Sequence, residues 1–314
     1  MAQYTVLNIE EIKEIIANYS VGNVDSFKIL SGGSENTNYL VVCGQNKYVL
    51  TICEQKTLQK TVELAKLLEH LSKHNFPTSQ IIQSRKNEAA ILWNQKPILL
   101  KKYLPGTICK NLSPRLLQSI GRSLGKLHQI EAPEYLPNVV SYGKDFFEEI
   151  HTYNQDSSFY PWLMQIKEQV QNHISTNLLK TLIHSDLFYN NIIVNDNNNR
   201  ATIMDFEEAS YYYRVFDLGM TFVGLCSDNE IIDLQNVGYI LNGYLKEIQL
   251  TIEEINAIKV FTIYAAAGTA FWRYKHFNYI QPDPKMFKHY IAMKNLADHI
   301  KSLPDDCFAG LIKV

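Results

Sequence analysis

The sequence predicts an α+β fold in two parts, a β-rich N-terminal lobe over residues 1–103 and a mostly helical C-terminal lobe over residues 104–314. Strand-like runs dominate the first hundred residues, and helical patterns dominate the rest. Between them, Leu104-Pro105-Gly106 marks a joint, because proline and glycine together end regular structure. A chain of 314 residues is long enough for two lobes with a sizeable core.

The N-terminal lobe reads as an antiparallel sheet with one embedded helix. Apolar residues recur at helical spacing over residues 8–19, and over residues 57–74 they form a single stripe, so each stretch predicts a helix. Strands are predicted at 26–30, 38–42, 47–53, 89–93 and 98–103.

The C-terminal lobe is predicted to contain one β-hairpin among its helices. Over residues 181–206, two apolar strands flank the polar turn at residues 195–200, which is typical of a hairpin. Helices are predicted at 113–129, 143–155, 159–177, 228–248, 251–277 and 284–302.

The composition excludes several classes of protein. A net charge of −2 argues against a nucleic-acid partner, and the five scattered cysteines offer neither a disulfide framework nor zinc-ligand spacing. The sequence shows no long apolar span and no signal-peptide pattern. We therefore expect a cytoplasmic monomer or homodimer that acts on a small molecule and binds no membrane.

The sequence around Asp186 indicates phosphoryl transfer. His184-Ser185-Asp186, with Asn191 five residues after the aspartate, matches the kinase catalytic loop H-x-D-x-x-x-x-N, and Asp205 stands where kinases carry a metal-binding aspartate. Such a reaction needs a carboxylate to orient the attacking hydroxyl and oxygen ligands for magnesium.

These requirements assign a role to each residue of the motif. Asp186 is predicted to be the catalytic base, and His184 is expected to hold the loop backbone by hydrogen bonds. Asn191 and Asp205 are predicted to share Mg²⁺, because a hairpin returns its two ends to one place. A β-rich lobe, a hinge and a helical lobe with this hairpin together outline a protein-kinase-like fold that uses ATP and Mg²⁺.

Two segments are candidates for nucleotide binding. The turn that contains Gly32, Gly33, Ser34 and Asn36 lies between the first two strands, where backbone amides can cradle phosphate, although a plain hairpin turn would look the same. The segment that ends in Lys101, Lys102 and Tyr103 is expected to be the hinge that pairs with adenine, and its apolar part equally fits a buried strand.

With these residues placed, the chain resembles the aminoglycoside phosphotransferase and choline kinase superfamily, and within it the type II homoserine kinases. The resemblance covers nearly the whole length and is carried by a front pattern, the motif around Asp186 and a late proline pair. The resemblance implies ATP-dependent phosphorylation of the side-chain hydroxyl of homoserine. The matching residues are Tyr4-Thr5, Glu11, Tyr19, Gly22, residues 33–39, residues 48–51, the motif His184–Phe188 with Asn191, and Pro282-Asp283-Pro284.

The chain departs from the kinase pattern at the nucleotide. Thr51 occupies the position at which kinases carry a lysine that holds the α- and β-phosphates, so Thr51 is assigned to the nucleotide site and Lys47 or Lys56 is expected to supply the charge. Glu63 could take the role of the helix glutamate, but it lacks its usual lysine partner.

A second departure concerns the substrate. The alanine-rich run at residues 265–273 lacks the arginine that the homoserine kinases tend to carry before its aromatic residues. Because an amino-acid substrate needs a cation for its carboxylate, Arg273 is the expected substitute.

A second resemblance, over residues 204–219, is to choline and ethanolamine kinases, which hold a cationic head group with aromatic faces and carboxylates. Glu207, Tyr211 and Trp272 could form such a lining, although aromatic residues also pack helical cores. An aminoglycoside-like kinase and a non-catalytic, nucleotide-binding pseudokinase remain alternatives.

Asp217 is expected to cap a helix or to brace the catalytic loop, and His128 to be a hydrogen-bonded core histidine.

Overall fold

The structure is a computed structural model that describes residues 5–30, 36–154, 158–195, 197 and 200–312. The chain divides into two compact units, Met1–Pro105 and Gly106–Val314. No helix in the described part of the chain is long and apolar enough to span a bilayer.

The first unit is built on five strands and two helices. The elements are α1 (Ile9–Ile16), β1 (Ser26–Leu30), β2 (Asn36–Cys43), β3 (Asn46–Cys53), α2 (Leu58–Lys73), β4 (Ile91–Trp93) and β5 (Lys96–Lys102). The strands form one antiparallel sheet in the order β1-β2-β3-β5-β4. Strands β2 and β3 form a tight hairpin, and Gly44 in its two-residue turn has a φ of +60°, which glycine adopts without steric cost. Each element predicted for this unit is present, within a few residues of its predicted bounds.

A polar cluster fastens the chain before α1 to this sheet. The Thr5 amide donates to Thr37 Oγ1 (3.1 Å) and to Glu54 Oε1 (2.9 Å), and the Tyr39 hydroxyl donates to the Thr5 carbonyl (2.8 Å). Lys96 Nζ donates to the Glu54 carboxylate. Burial alone would raise the pKa of Glu54, but the hydrogen bonds from Lys96, Thr37 and Thr5 lower it to about 2.

The second unit is mostly helical. Its elements are α3 (Pro114–Leu127), α4 (Ile150–Tyr153), α5 (Phe159–His173), β6 (Lys180–Ile183), β7 (Ile192–Val194), β8 (Ala201–Ile203), β9 (Ser210–Tyr213), α6 (Arg214–Leu225), β10 (Ser227–Asp228), β11 (Ile231–Ile232), α7 (Leu234–Tyr244), α8 (Ile252–Lys275) and α9 (His289–Ser302), with short 3₁₀ helices at Lys144–Glu149, Tyr189–Asn191 and Ala309–Leu311 and a π-helical turn at His276–Ile280. The strands of its described residues pair as three two-stranded antiparallel sheets, β6–β9, β7–β8 and β10–β11. The predicted hairpin is confirmed as β7 and β8, with Ile192 opposite Ile203.

Three predicted helices differ from those in the structure. The helix predicted at 143–155 is mostly a 3₁₀ helix, the one predicted from 228 begins at Leu234 after the β10–β11 hairpin, and the one predicted from 284 begins at His289. Helix α6 was not predicted, because nearly all of its residues are buried and it lacks the one-sided apolar pattern that marks a surface helix.

Candidate active site

The sequence predicts a catalytic loop at His184, and in the structure this loop connects β6 to β7. Strand β6 ends at Ile183, and the 3₁₀ helix Tyr189–Asn191 leads into β7. Because β6 is held by pairing with β9, and β7 by pairing with β8, both ends of the loop are anchored in hydrogen-bonded strands.

His184 ties the loop to the strand that precedes Asp205. Its Nε2 donates to the Met204 carbonyl (2.9 Å), and its Nδ1 accepts from the Asp186 amide (3.2 Å). The side chain is buried, and burial lowers its pKa, so the ring is neutral at neutral pH. This geometry suits a positioning role, because both ring nitrogens are occupied by backbone groups.

Asn191 lies against Asp186. Its Nδ2 donates to the Asp186 carbonyl (2.7 Å) and to Asp186 Oδ2 (3.0 Å), so within the described residues both hydrogen bonds of this side chain use its nitrogen. The Asn191 carbonyl accepts from the Met204 amide (2.9 Å), which places Asp205 directly after the hydrogen-bonded pair. The hairpin therefore brings Asn191 and Asp205 to the same end of β7 and β8.

The oxygen donors of this pair suit magnesium. Oδ1 of Asn191 and the carboxylate of Asp205 are hard oxygen ligands, and Mg²⁺ commonly takes one or two protein ligands and fills its shell with phosphate and water. Asp205 has a φ of +66°, a conformation that costs energy for a residue other than glycine and is concentrated at functional sites. Over the ranges that the structure describes, no group of three or more His, Cys, Asp or Glu residues could hold a metal by itself.

Asp217 braces the backbone of the loop from below. It lies in α6, is fully buried, and accepts from the amides of His184 (2.8 Å) and Ser185 (2.7 Å) and from Nε2 of His128 (3.0 Å). Burial by itself would raise the pKa of Asp217, but these donors hold it below its usual range. Of the two roles expected for Asp217, the structure shows the brace; the N-cap of α6 is Tyr213.

His128 extends this brace to two more helices. It follows α3 at the C-cap, is buried, and has its Nδ1 2.8 Å from the Tyr244 hydroxyl on α7. The expected core histidine is therefore confirmed, and it connects the catalytic loop to the packing of α3 and α7.

Tyr142 is a site residue that the sequence analysis missed. Its hydroxyl donates to the carbonyl of Ser185, whose φ is +63°. Burial, together with the negative charges of Asp186 and Glu208, raises the pKa of Tyr142, so the phenol keeps the proton that it donates. A single tyrosine in a loop gives no pattern from which this contact could have been predicted.

Helix α6 approaches the loop closely at Gly224. A Cβ on Gly224 would lie 2.2 Å from the Leu187 carbonyl oxygen, far inside van der Waals contact. Glycine is therefore required for α6 to pass this close to the residue after Asp186.

The residues predicted to bind the nucleotide lie in the first unit. Gly32, Gly33 and Ser34 lie outside the described residues, and Asn36 begins β2. Lys101 and Lys102 end β5, and Tyr103 follows, its amide donating to the Lys47 carbonyl (3.1 Å).

Thr51 and Glu63 are both held by near neighbours. The Thr51 hydroxyl is buried and donates to Oδ1 of Asn38 on the paired strand (2.7 Å). Glu63 forms an ion pair with Lys60 on its own helix (2.7 Å). Neither contact supplies the positive charge that a strand lysine would bring.

The residues predicted to bind substrate occupy two places in the second unit. Glu207 follows Asp205 by two residues, and Tyr211 lies on β9 with 43% of its surface exposed. Trp272 and Arg273 lie near the C-terminal end of α8, where Trp272 stacks on His276 (centroids 4.5 Å apart, planes at 11°).

Glu208, next to Glu207, is hydrogen-bonded to the loop that carries Asp186 and to Ser141. The Ser185 hydroxyl donates to the Glu208 carbonyl, and the Ser141 hydroxyl donates to the Glu208 carboxylate. Glu208 therefore lies beside the loop that carries Asp186.

The profile of the Phosphotransferase enzyme family (APH) matches residues 26–246. The chain belongs to this family. Curated relatives include the homoserine kinase of Zymomonas mobilis, 26% identical over 274 residues that cover 81% of this chain and 82% of that protein, and the homoserine kinase of Methylobacillus glycogenes, 24% identical over 277 residues that cover 87% and 86%. The family resemblance stated from the sequence is confirmed.

Solved structures support the fold of this phosphotransferase. A microcompartment-associated aminopropanol kinase superposes with a TM-score of 0.74 at 16% identity, covering 97% of this chain and 100% of that one. An amicoumacin kinase in complex with AMP-PNP and Ca²⁺ superposes with a TM-score of 0.72 at 15% identity, covering 95% and 96%. The predicted protein-kinase-like fold is thereby confirmed.

Proposed function

We propose that this phosphotransferase transfers the γ-phosphoryl group of Mg-ATP to a hydroxyl group of a small molecule, and that the molecule is L-homoserine. The observation that carries the reaction is the arrangement of Asp186 beside Asn191, with Asp205 following the paired strand. The names of the curated relatives support homoserine as the acceptor.

The chemistry of the acceptor hydroxyl falls to Asp186. Its carboxylate orients the hydroxyl and takes up its proton as the new phosphate ester forms. The hydrogen bond from Asn191 Nδ2 to Asp186 Oδ2 fixes the orientation of the carboxylate. His184, Asp217 and Tyr142 keep the loop backbone in place, so that the carboxylate meets the hydroxyl without rearrangement.

Magnesium and the nucleotide are part of the same proposal. Asn191 and Asp205 would hold Mg²⁺, which neutralises charge on the phosphoryl group when it is bound. For ATP we propose the turn with Gly32, Gly33, Ser34 and Asn36, the strand position of Thr51, and the segment of Lys101, Lys102 and Tyr103. A structural neighbour that holds AMP-PNP and Ca²⁺ supports nucleotide and divalent-metal use.

The metal proposal has a direct test in Asp205→Ala. We expect this variant to lose activity and to bind Mg-ATP much more weakly than the wild type in calorimetry. A variant with wild-type Mg-ATP affinity would remove Asp205 from the metal site.

A second candidate is a kinase of an amino alcohol such as ethanolamine or choline. The carboxylates of Glu207 and Glu208 close to Asp205, together with Tyr211 and Trp272, would suit a cationic head group. The aminopropanol kinase among the structural neighbours favours this alternative.

One assay separates the candidates. ADP release is measured with Mg-ATP and a panel of homoserine, choline, ethanolamine, methylthioribose and an aminoglycoside, with Asp186→Asn as the inactive control. Turnover with homoserine alone would establish the proposed substrate, and turnover with an amino alcohol alone would replace it. Tight Mg-ATP binding without turnover of any acceptor would favour a non-catalytic nucleotide-binding protein.

A further inference from the structure

The C-terminal end of α8 holds a positive charge without an acidic partner. Arg273 is partly buried, and within the described residues no carboxylate forms an ion pair with it. Among those residues, Arg273 makes one hydrogen bond, a long one from Nη1 to the His289 carbonyl oxygen (3.4 Å). Burial lowers the pKa of Arg273 to about 10, so the group is still cationic at neutral pH. Removing a guanidinium from water without an anion costs free energy that the contacts present do not offset.

His289 adds a second donor at the same place. It is the first residue of α9, and its Nδ1 is buried and has no hydrogen-bond partner among the residues described. Burial and the charge of Arg273 lower its pKa, so the ring is neutral at neutral pH and can present an N–H from Nδ1. A buried polar atom without a partner is uncommon in folded proteins and calls for an explanation.

Aromatic rings lie close to His289 in the structure and to Arg273 in the sequence. Phe277 is edge-on to the rings of both His276 (5.0 Å) and His289 (5.9 Å), and Trp272 stacks on His276. These residues lie on or beside the π-helical turn His276–Ile280, and π-helical turns are frequent at functional sites. Nδ1 of His289 is itself shielded from water, which strengthens any hydrogen bond made there.

The same helix reaches the catalytic loop through Tyr142. A Cβ on Gly268 would lie 3.1 Å from the Tyr142 carbonyl oxygen, and the Tyr142 hydroxyl donates to Ser185 in the loop. Arg273 follows Gly268 by five residues, which is about 7.5 Å along a helix. Five residues also turn a helix by about 140°, so Arg273 lies on a different face of α8 from Gly268.

Thr269 lies one turn before Arg273 on the same face, and its hydroxyl donates to Met220 Sδ on α6 (3.8 Å). One turn beyond Met220, Gly224 lies against the Leu187 carbonyl beside Asp186, so the face of α8 that carries Arg273 packs on the helix that meets the loop.

We propose that Arg273 and Nδ1 of His289 together bind the carboxylate of the acceptor substrate. The guanidinium supplies charge and a fork of N–H donors, and the imidazole N–H supplies a further donor. The inference rests on the proposed function and narrows it, because it selects a hydroxylated carboxylic acid such as L-homoserine over an amino alcohol. It also adds His289, which sequence reasoning did not identify.

The test compares two substrates that differ only in the carboxylate, L-homoserine and 3-aminopropan-1-ol. Arg273→Gln should lower kcat/KM for L-homoserine by about 100-fold, the range expected for losing hydrogen bonds to a charged group. The loss for 3-aminopropan-1-ol should be at least tenfold smaller. Equal losses on the two substrates would overturn the proposal.

Variants of His289 probe the second donor. His289→Ala should lower kcat/KM for L-homoserine by about tenfold. His289→Asn keeps an amide nitrogen near the position of Nδ1 and should restore most of that loss. If the two variants behave alike, His289 does not bind the carboxylate.

Binding of L-homoserine, measured by calorimetry, separates this inference from the proposed function. The variants are Arg273→Gln and the matched control Arg122→Gln, an exposed arginine on α3, and thermal melts establish that both are folded. Binding that weakens about 100-fold only in Arg273→Gln, without turnover by the wild type, would support the carboxylate site and reject the homoserine kinase reaction. Turnover of L-homoserine with unchanged affinity in Arg273→Gln would support the reaction and reject the site.

Discussion

Asp217 and His184, the buried side chains that hold the catalytic loop, have several hydrogen bonds within the protein, whereas Arg273 and His289 at the C-terminal end of α8 have few among the described residues. Asp217 accepts from two loop amides, and His184 bonds at both ring nitrogens. Arg273 has one long hydrogen bond among the described residues, and Nδ1 of His289 has none there. The first region is therefore stabilised by its own contacts, and for the second we have proposed a ligand.

This difference separates positioning residues from binding residues. A group whose hydrogen bonds are all made to backbone can hold geometry but has little left to offer a substrate. A buried donor without a partner adds nothing to stability, and in an enzyme it is a reasonable place to look for a ligand. Substitutions in the two regions should therefore differ in kind, lowering kcat in the first and raising KM in the second.

The largest effect is expected at Asp186. Asp186→Ala removes the proposed base, so kcat should fall by about 10²- to 10⁴-fold, while calorimetry should find Mg-ATP affinity close to that of the wild type. A folded Asp186→Ala protein with near-normal turnover would remove Asp186 from the catalytic role.

Asp217→Asn should break the brace beneath the loop. Asparagine keeps one oxygen acceptor, but its NH₂ group points at donors in either orientation. It faces the Ser185 amide if it replaces Oδ1, and the His184 amide and Nε2 of His128 if it replaces Oδ2. We expect a loss of about 3 kcal/mol in the free energy of unfolding, measured by urea denaturation, together with a lower kcat. Asp233→Asn, at the N-cap of α7, is the matched control and should lose about 1 kcal/mol or less.

Tyr142→Phe tests positioning with a smaller change. It removes one hydroxyl whose bond reaches the Ser185 carbonyl, and it should lower kcat by about tenfold with little change in KM for ATP. Tyr239→Phe, which removes a hydroxyl on α7, is the control. If Tyr142→Phe changes the KM for ATP or lowers the stability but leaves kcat unchanged, Tyr142 contributes to packing and does not position the loop.

The sequence predicted those parts of the fold that depend on local pattern. The hairpin at β7 and β8 was predicted from a polar turn between two apolar runs. It brings Asn191, just before β7, next to Met204 and Asp205, just after β8, as expected. Helix α6 escaped because it is buried on every side and so has no polar face to set a period. Asp217 was assigned a structural role, but its three donors come from two distant segments that only the fold brings together.

Tyr142 and His289 were not predicted for the same reason, because their contacts depend on the fold and not on a local pattern. Tyr142 lies in a loop between α3 and a 3₁₀ helix, and His289 reaches Arg273 only because the chain turns back after α8. Near the N-terminus, residues that matched the family pattern turn out to have a structural role. Thr37, Tyr39 and Glu54, part of or close to the stretches that carried the family resemblance, are in the structure the residues that hold the N-terminal segment.

The smallest effect is expected in that N-terminal cluster, which contains none of the residues proposed for the site. Glu54 ionises with a pKa of about 2 in the folded protein and near 4.5 otherwise, so its stabilising contribution is complete above pH 4.5 and is lost as the pH falls toward 2. Glu54→Gln cannot ionise, and between pH 4.5 and 2 its free energy of unfolding should depend less on pH than that of the wild type, by at most one proton. Denaturation curves for both proteins at several pH values measure the two slopes, with Glu14→Gln on the exposed face of α1 as the control. Equal slopes of the free energy of unfolding against pH in the two proteins would show that the Glu54 cluster does not contribute to acid sensitivity. Because no residue of the cluster is proposed to react, kcat should be the same in both proteins.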